Sequence, residues 1–164
     1  MKLLDRLLGH DVWSTRQLLR QCATLTDVGL DRRFDVDNRT LRECFLHIIR
    51  NMEYWSAMLA DRPDPPAPTD TEARTVAGML TRLGDAGRTF AATARAVTHE
   101  GREDELLVAD SHTPPTRGGV IAHLLTHSMH HRAQAMYIME QLGLHDHIEG
   151  DVLSWEEITF GWRG

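Results

Sequence analysis

The sequence predicts an all-α protein built as a four-helix bundle. Three observations carry this. Four long stretches repeat apolar residues at helical spacing, no stretch alternates apolar and polar residues as a strand does, and the connections hold proline, glycine or clustered aspartate. At 164 residues with 41% hydrophobic content, the chain is long enough for one sizeable core, and one domain over 1–164 is expected.

The first helix is expected at about residues 2–24, where Leu4, Leu8, Val12, Thr15 and Leu19 line one face. Asp5, Arg6 and Asp11 interrupt its leucines, so it reads as an amphipathic helix and not as a signal peptide. Thr26–Arg39, with Gly29, Asp27, Asp31, Asp35 and Asp37, reads as a connection. A second helix should start near Thr40, because Thr40 and Glu43 form a capping box. Leu41, Cys44, Phe45, Ile48, Ile49, Met52, Trp55 and Leu59 give its apolar face. The run Arg62–Thr71, with Pro63, Pro65, Pro66 and Pro68, stops it.

A third helix, about 71–98, carries Val76, Met79, Leu80, Leu83, Phe90 and Val97. A polar connection over 99–115 holds His112, Pro114 and Pro115. The fourth helix, about 117–142, ends at Gly143 as a C-cap. The tail Asp151–Trp162 offers Val152, Trp155, Ile158 and Trp162 to a short helix. The long connections leave room for crossovers, so a simple up-down-up-down path is not assured.

Composition narrows the function. A net charge of -6 without a basic stripe argues against nucleic acid. No apolar run reaches the roughly 20 residues of a membrane span. Cys22 and Cys44 lack framework spacing and fit free thiols in a reducing cytoplasm.

The histidines are the informative residues. Four of ten, His123, His127, His130 and His131, lie in HLLTHSMHHRAQ. His123, His127 and His131 repeat every four residues, a step that drifts only about 40° around a helix. Ile121, Leu124, Ser128, Met136, Ile138, Met139 and Leu142 fill one flank of this stripe. Thr126, Gln134 and Gln141 fill the other. The stripe therefore sits at the edge of the packed face, where facing helices of a bundle build ligand sites. His47 stands at the corresponding edge of the second helix, with Asn51 and Tyr54 beside it.

If the two helices are neighbours, His47 completes a site begun by His127 and His131. Three neutral imidazoles with an open position are a known catalytic zinc arrangement, and Ni, Fe and Co also accept imidazole. Such an ion lowers the pKa of a water or thiol that reaches it. His130 diverges by about 100° from His131 and is expected in a supporting or exposed place, while His123 is expected to orient a ligand. His10, His99, His112, His145 and His147 read as surface or loop residues.

HDVW (His10–Trp13), TLRECFLHIIRNMEYW (Thr40–Trp55) and GVIAHLLTHSMHHRAQAMYIMEQLG (Gly119–Gly143) resemble, in this order, the DinB/YfiT-like superfamily of metal-binding four-helix bundles. The family's usual glycine after HHR is Ala133 here. The resemblance implies an up-down-down-up path, one divalent metal held by His47, His127 and His131, and a homodimer. Characterised relatives include transferases and isomerases that activate a low-molecular-weight thiol on the metal. The resemblance thus implies a thiol-dependent S-transferase acting on an electrophilic small molecule, with zinc or nickel ahead of iron or cobalt. His123, His130, Gln134, Tyr54 and Asn51 are expected around the metal. Activation of water and a non-catalytic metal- or small-molecule-binding bundle are the rival readings.

Overall fold

A computed structural model describes residues 1–35, 38–107, 113–147 and 150–161. Asp37, His112 and Trp162, named above, lie outside the described residues. Six helices follow one another: α1 (Leu3–Gln21), α2 (Asp27–Leu30), α3 (Leu41–Leu59), α4 (Val76–His99), α5 (Arg117–Gln141) and α6 (Val152–Phe160). The described residues form no strand, only the isolated bridges Arg33–Thr40 and Leu106–Thr116.

The helix ends follow local chemistry. At α3 both arms of the capping box form: Glu43 N–H donates to Thr40 Oγ1 (3.1 Å) and Thr40 N–H to Glu43 Oε2 (2.9 Å). Gly143 closes α5 with φ +84°, its N–H donating to Glu140 O while Leu144 N–H donates to Met139 O, a Schellman pattern. The third long helix begins later than expected, at Val76. Thr75 is extended and its hydroxyl accepts from Gly78 N–H, which separates α4 from a short 3-10 turn over Glu72–Arg74. The connection after α1 holds an unexpected single helical turn, α2, capped by the Thr26 hydroxyl. Asp151 caps α6 by accepting from Ser154 N–H (2.8 Å).

The four long helices form a ring in which α1 and α3 occupy opposite corners, each packed on both α4 and α5. Side-chain pairs give the directions. The start of α3 meets the start of α4 where Arg42 donates to Arg74 O (2.6 Å), and Glu53 pairs with Arg82 further along (2.9 Å), so these two run parallel. The end of α3 meets the start of α5 where Arg117 donates to Leu59 O (2.6 Å) and Asp61 (2.7 Å), so these run antiparallel. Asp5 pairs with Arg95, and Asp11 with Arg132, which makes α1 antiparallel to α4 and parallel to α5. The path is up-down-down-up, and the long connections after α1, α3 and α4 serve this order.

The core has two apolar clusters. Leu18, Phe45, Ile48, Met52, Met79 and Ile138 belong to one, and Leu8, Leu59, Phe90, Val120 and Leu124 to the other. Between them, α1 contributes Asp11, Ser14 and Thr15, and α5 contributes Ser128, His131 and Arg132, all buried. The midsection of the bundle is therefore polar. The tail is held on α1, where Trp155 (5% exposed) covers Gly9 so closely that a Cβ there would stand 2.9 Å from the indole. Ile158, expected to offer apolar surface, is 60% exposed.

Candidate metal centre

The two arginine clamps at the ends of α3, Arg42 and Arg117, set how it lies against α4 and α5. His47, two turns into α3, then faces His127 and His131, one turn apart on α5. Their ligating nitrogens lie within 4.8 Å of one another. His127 Nε2 is 3.2 Å from His47 Nε2 and 3.1 Å from His131 Nε2. His131 is buried, and His47 and His127 are half-buried.

Hydrogen bonding alone does not account for this convergence. A neutral imidazole offers one N–H and one lone pair, on different nitrogens. His127 Nε2 can therefore pair well with one of its two neighbours, not both. A cation accepts one lone pair from each ring. Four-coordinate bonds of about 2.0–2.1 Å place neighbouring nitrogens about 3.3 Å apart, close to the separations found.

Protonation favours the same use. Burial first, then the positive charge of Arg39 and of His131, holds His47 down at about 4. His127 is also lowered to about 4, by burial first and then by the surrounding histidines. Both rings are neutral near pH 7 and keep their lone pairs. Among the described residues, no carboxylate contributes to the shift of His47.

The supporting residues divide. Gln134 Oε1 accepts from His131 Nδ1–H at 2.6 Å, which fixes the tautomer that leaves Nε2 free of a proton. Gln134 Nε2 also lies 3.2 Å from His130 Nε2, so the exposed His130 touches the residue that orients His131. The Asn51 side-chain nitrogen donates to His47 O (2.9 Å) and lies 3.2 and 3.3 Å from the two ring nitrogens of His47. His123 is exposed, and its ring packs on His127 (5.0 Å between centroids) and Trp55 (6.3 Å). The Tyr54 ring meets Trp55 edge-on, 4.9 Å between centroids. The Nδ1 of His127 is buried and has no hydrogen-bond partner among the described residues.

Of the histidines read as surface or loop residues, His10 is neither, and His147 lies in the loop after α5. His10 lies in α1, 9% exposed, bonded to Ser14 Oγ (2.9 Å) and to Gly150 O. His147 Nδ1 contacts Gln21 Oε1 (3.0 Å), tying the segment after α5 to the end of α1. The buried Asp11–Arg132 pair was also missed. Arg132, next to His131, reaches Asp11 and Thr15 and braces α5 against α1 behind the histidines. Burial raises the Asp11 carboxyl pKa, against the pull of Arg132. The signal for this pair was present as opposite charges within two otherwise apolar helix faces.

Residues 1–159 match the DinB family. The chain belongs to that family. A crystal structure of a DinB-like protein from Bacillus cereus ATCC 10987 is similar at 19% identity and a TM-score of 0.62, over 84% of this chain and 89% of that one. This likeness shows the DinB fold. No curated protein matches the chain. The DinB fold and the three-histidine cluster together are compatible with metal binding, and the convergent, neutral nitrogens fit a divalent ion.

Proposed function

We propose that residues 1–164 form one DinB domain that binds a divalent metal through His47, His127 and His131 and uses it to activate a low-molecular-weight thiol for transfer to an electrophilic small molecule. The convergence of three Nε2 atoms at 3.1–3.2 Å steps carries the metal reading. The choice of a thiol over water comes from the family's characterised members. When bound, a divalent ion with an open position supplies acidification of a thiol or water that reaches it.

The chain's own residues do the rest. Gln134 keeps the proton of His131 on Nδ1. Asn51 packs its amide against His47 and ties it to its own helix turn. Burial keeps His47 and His127 unprotonated at neutral pH. The three ligands are neutral, so the ion would keep its full charge for an anionic thiolate. The exposed His123 and His130 lie on the open side of the cluster, and the buried Asp11–Arg132 pair closes the opposite side of α5.

Metal content of protein purified without a polyhistidine tag tests the first part. One ion per chain is expected, with none in His127→Ala and a fall in thermal stability on chelation of the wild type only. Metal-dependent consumption of a thiol with a model electrophile tests the second part. No rate above background with any physiological thiol removes the transferase reading and leaves a binding role.

A further inference from the structure

The three histidines use the seam between α3 and α5. The seam diagonally across the bundle, between α1 and α4, is built differently. An open groove of about 520 Å³ runs along it, and Arg16, Arg88 and Arg95 line it.

The floor of this groove is glycine. Gly84 and Gly87 are buried inside α4, where glycine is less favourable than alanine. Packing explains Gly87, since a Cβ there would stand 2.5 Å from Val12 Cγ2. Packing does not explain Gly84. A Cβ there would meet Arg16 Nη2 at 3.4 Å and Arg88 Nη1 at 3.5 Å, both ordinary contacts. Two guanidinium groups therefore overhang one hollow, and these two nitrogens are no more than about 7 Å apart.

The charges around the hollow are not balanced. Arg16 is half-buried and makes no hydrogen bond or ion pair among the described residues. Arg88 is answered by Asp85, one turn back on its own helix. Arg95, further along, is held by Asp5 (2.7 Å). Two like charges this close repel one another, and an anion between them turns that repulsion into attraction.

We infer that Arg16 and Arg88 form an anion site over Gly84, and that the groove takes a small phosphate monoester. The terminal oxygens of one phosphate can accept from both guanidinium groups, at about 2.7–2.9 Å each, whereas a carboxylate is matched by a single guanidinium. The absent Gly84 side chain leaves room for the group to sink between them. Leu8, Val12, Trp13 and Ala91 supply the apolar wall beside it, and Trp13 has no aromatic partner among the described residues. That wall suits a flat organic group on the ester. Asp85 tunes the site, because its carboxylate competes with the ligand for Arg88. The site shares no residue with the metal centre and does not rest on the metal reading.

Titration calorimetry of the full chain with phenyl phosphate, benzoate and inorganic phosphate tests this. Phenyl phosphate is expected to bind about 10-fold or more tighter than benzoate, as one further charge-assisted pair predicts. It should bind about fivefold tighter than inorganic phosphate, as contact between its ring and Trp13 predicts. Arg16→Met should weaken phenyl phosphate about 10-fold or more without lowering Tm, since Arg16 holds nothing in the free protein. Gly84→Ala should keep or raise Tm yet weaken binding, because a methyl group fills the hollow. Asp85→Asn should tighten binding by releasing Arg88. No binding of phenyl phosphate at millimolar concentration overturns the inference, as does equal binding of benzoate or wild-type affinity in Arg16→Met. Inorganic phosphate bound as tightly as phenyl phosphate overturns the ester. Loss of binding in His127→Ala also overturns the inference, since the phosphate would then sit on a metal.

Discussion

Replacing Gln134 by Leu should weaken metal binding without disturbing the bundle. Gln134 Oε1 accepts from His131 Nδ1–H at 2.6 Å, and His131 is 5% exposed, so water cannot readily take over the lost bond. An unsatisfied buried donor costs about 1–3 kcal/mol. His131 can escape that cost by moving its proton to Nε2, but this removes the lone pair that faces His127. Either route lowers metal affinity by about 10–100-fold, the range found when a partner of a ligating histidine is lost. Gln134→Glu keeps an acceptor, and a charged one, so it should bind the ion at least as tightly as the wild type. Competition against a chromogenic chelator measures both variants, with circular dichroism as the check on folding. A Gln134→Leu protein that binds metal as tightly as the wild type would refute the tautomer argument.

Three further outcomes are expected. In metal-free protein, His47 and His127 are held near 4, whereas unfolded histidine titrates near 6.5. The unfolded chain therefore binds the extra protons, and stability should fall as pH drops from about 6.5 towards 4. Urea midpoints measured with chelator present should show this slope, and a slope unchanged in His127→Ala would contradict it. Asp11→Ala should cost about 3–5 kcal/mol, because it strands Arg132 in a buried place; the pair of changes Asp11→Leu and Arg132→Met should cost less than Asp11→Ala alone, as denaturant unfolding would show. Gly9→Ala should push Trp155 outward, at about 1–3 kcal/mol of overpacking set against about 1 kcal/mol of helix propensity. Red-shifted tryptophan emission reads this, and native emission with a raised Tm would oppose it.

The bundle was legible because helical periodicity is a local signal. Thr40 and Glu43 marked the start of α3 to the residue, and Gly143 the end of α5, since caps are short-range chemistry. The start of α4 was set too early because Glu72–Arg74 is helical in a tighter 3-10 form, and the extended Thr75 between them leaves no break in the apolar pattern. The single turn α2 is too short to show a period at all. At the candidate site, the wheel placed His127 and His131 on one stripe, and it placed His47 at the edge of another. Their convergence depends on the register of α3 against α5, which Arg117 and Leu59 help to fix across the bundle. No local rule reports that register. The same limit explains His10, polar in sequence yet covered by the tail.

His47 and His127 stand 80 residues apart in the chain, with α4 and both of its connections between them. An ion shared by these two rings would close a loop of that length, and the entropy lost by the unfolded chain on such closure grows with the logarithm of loop size. A covalent cross-link over a similar span is worth about 4.5 kcal/mol by that reasoning. The metal would then act as a reversible staple between two helices that are not sequence neighbours. Its supply would govern how long the chain stays folded as well as what the pocket can do.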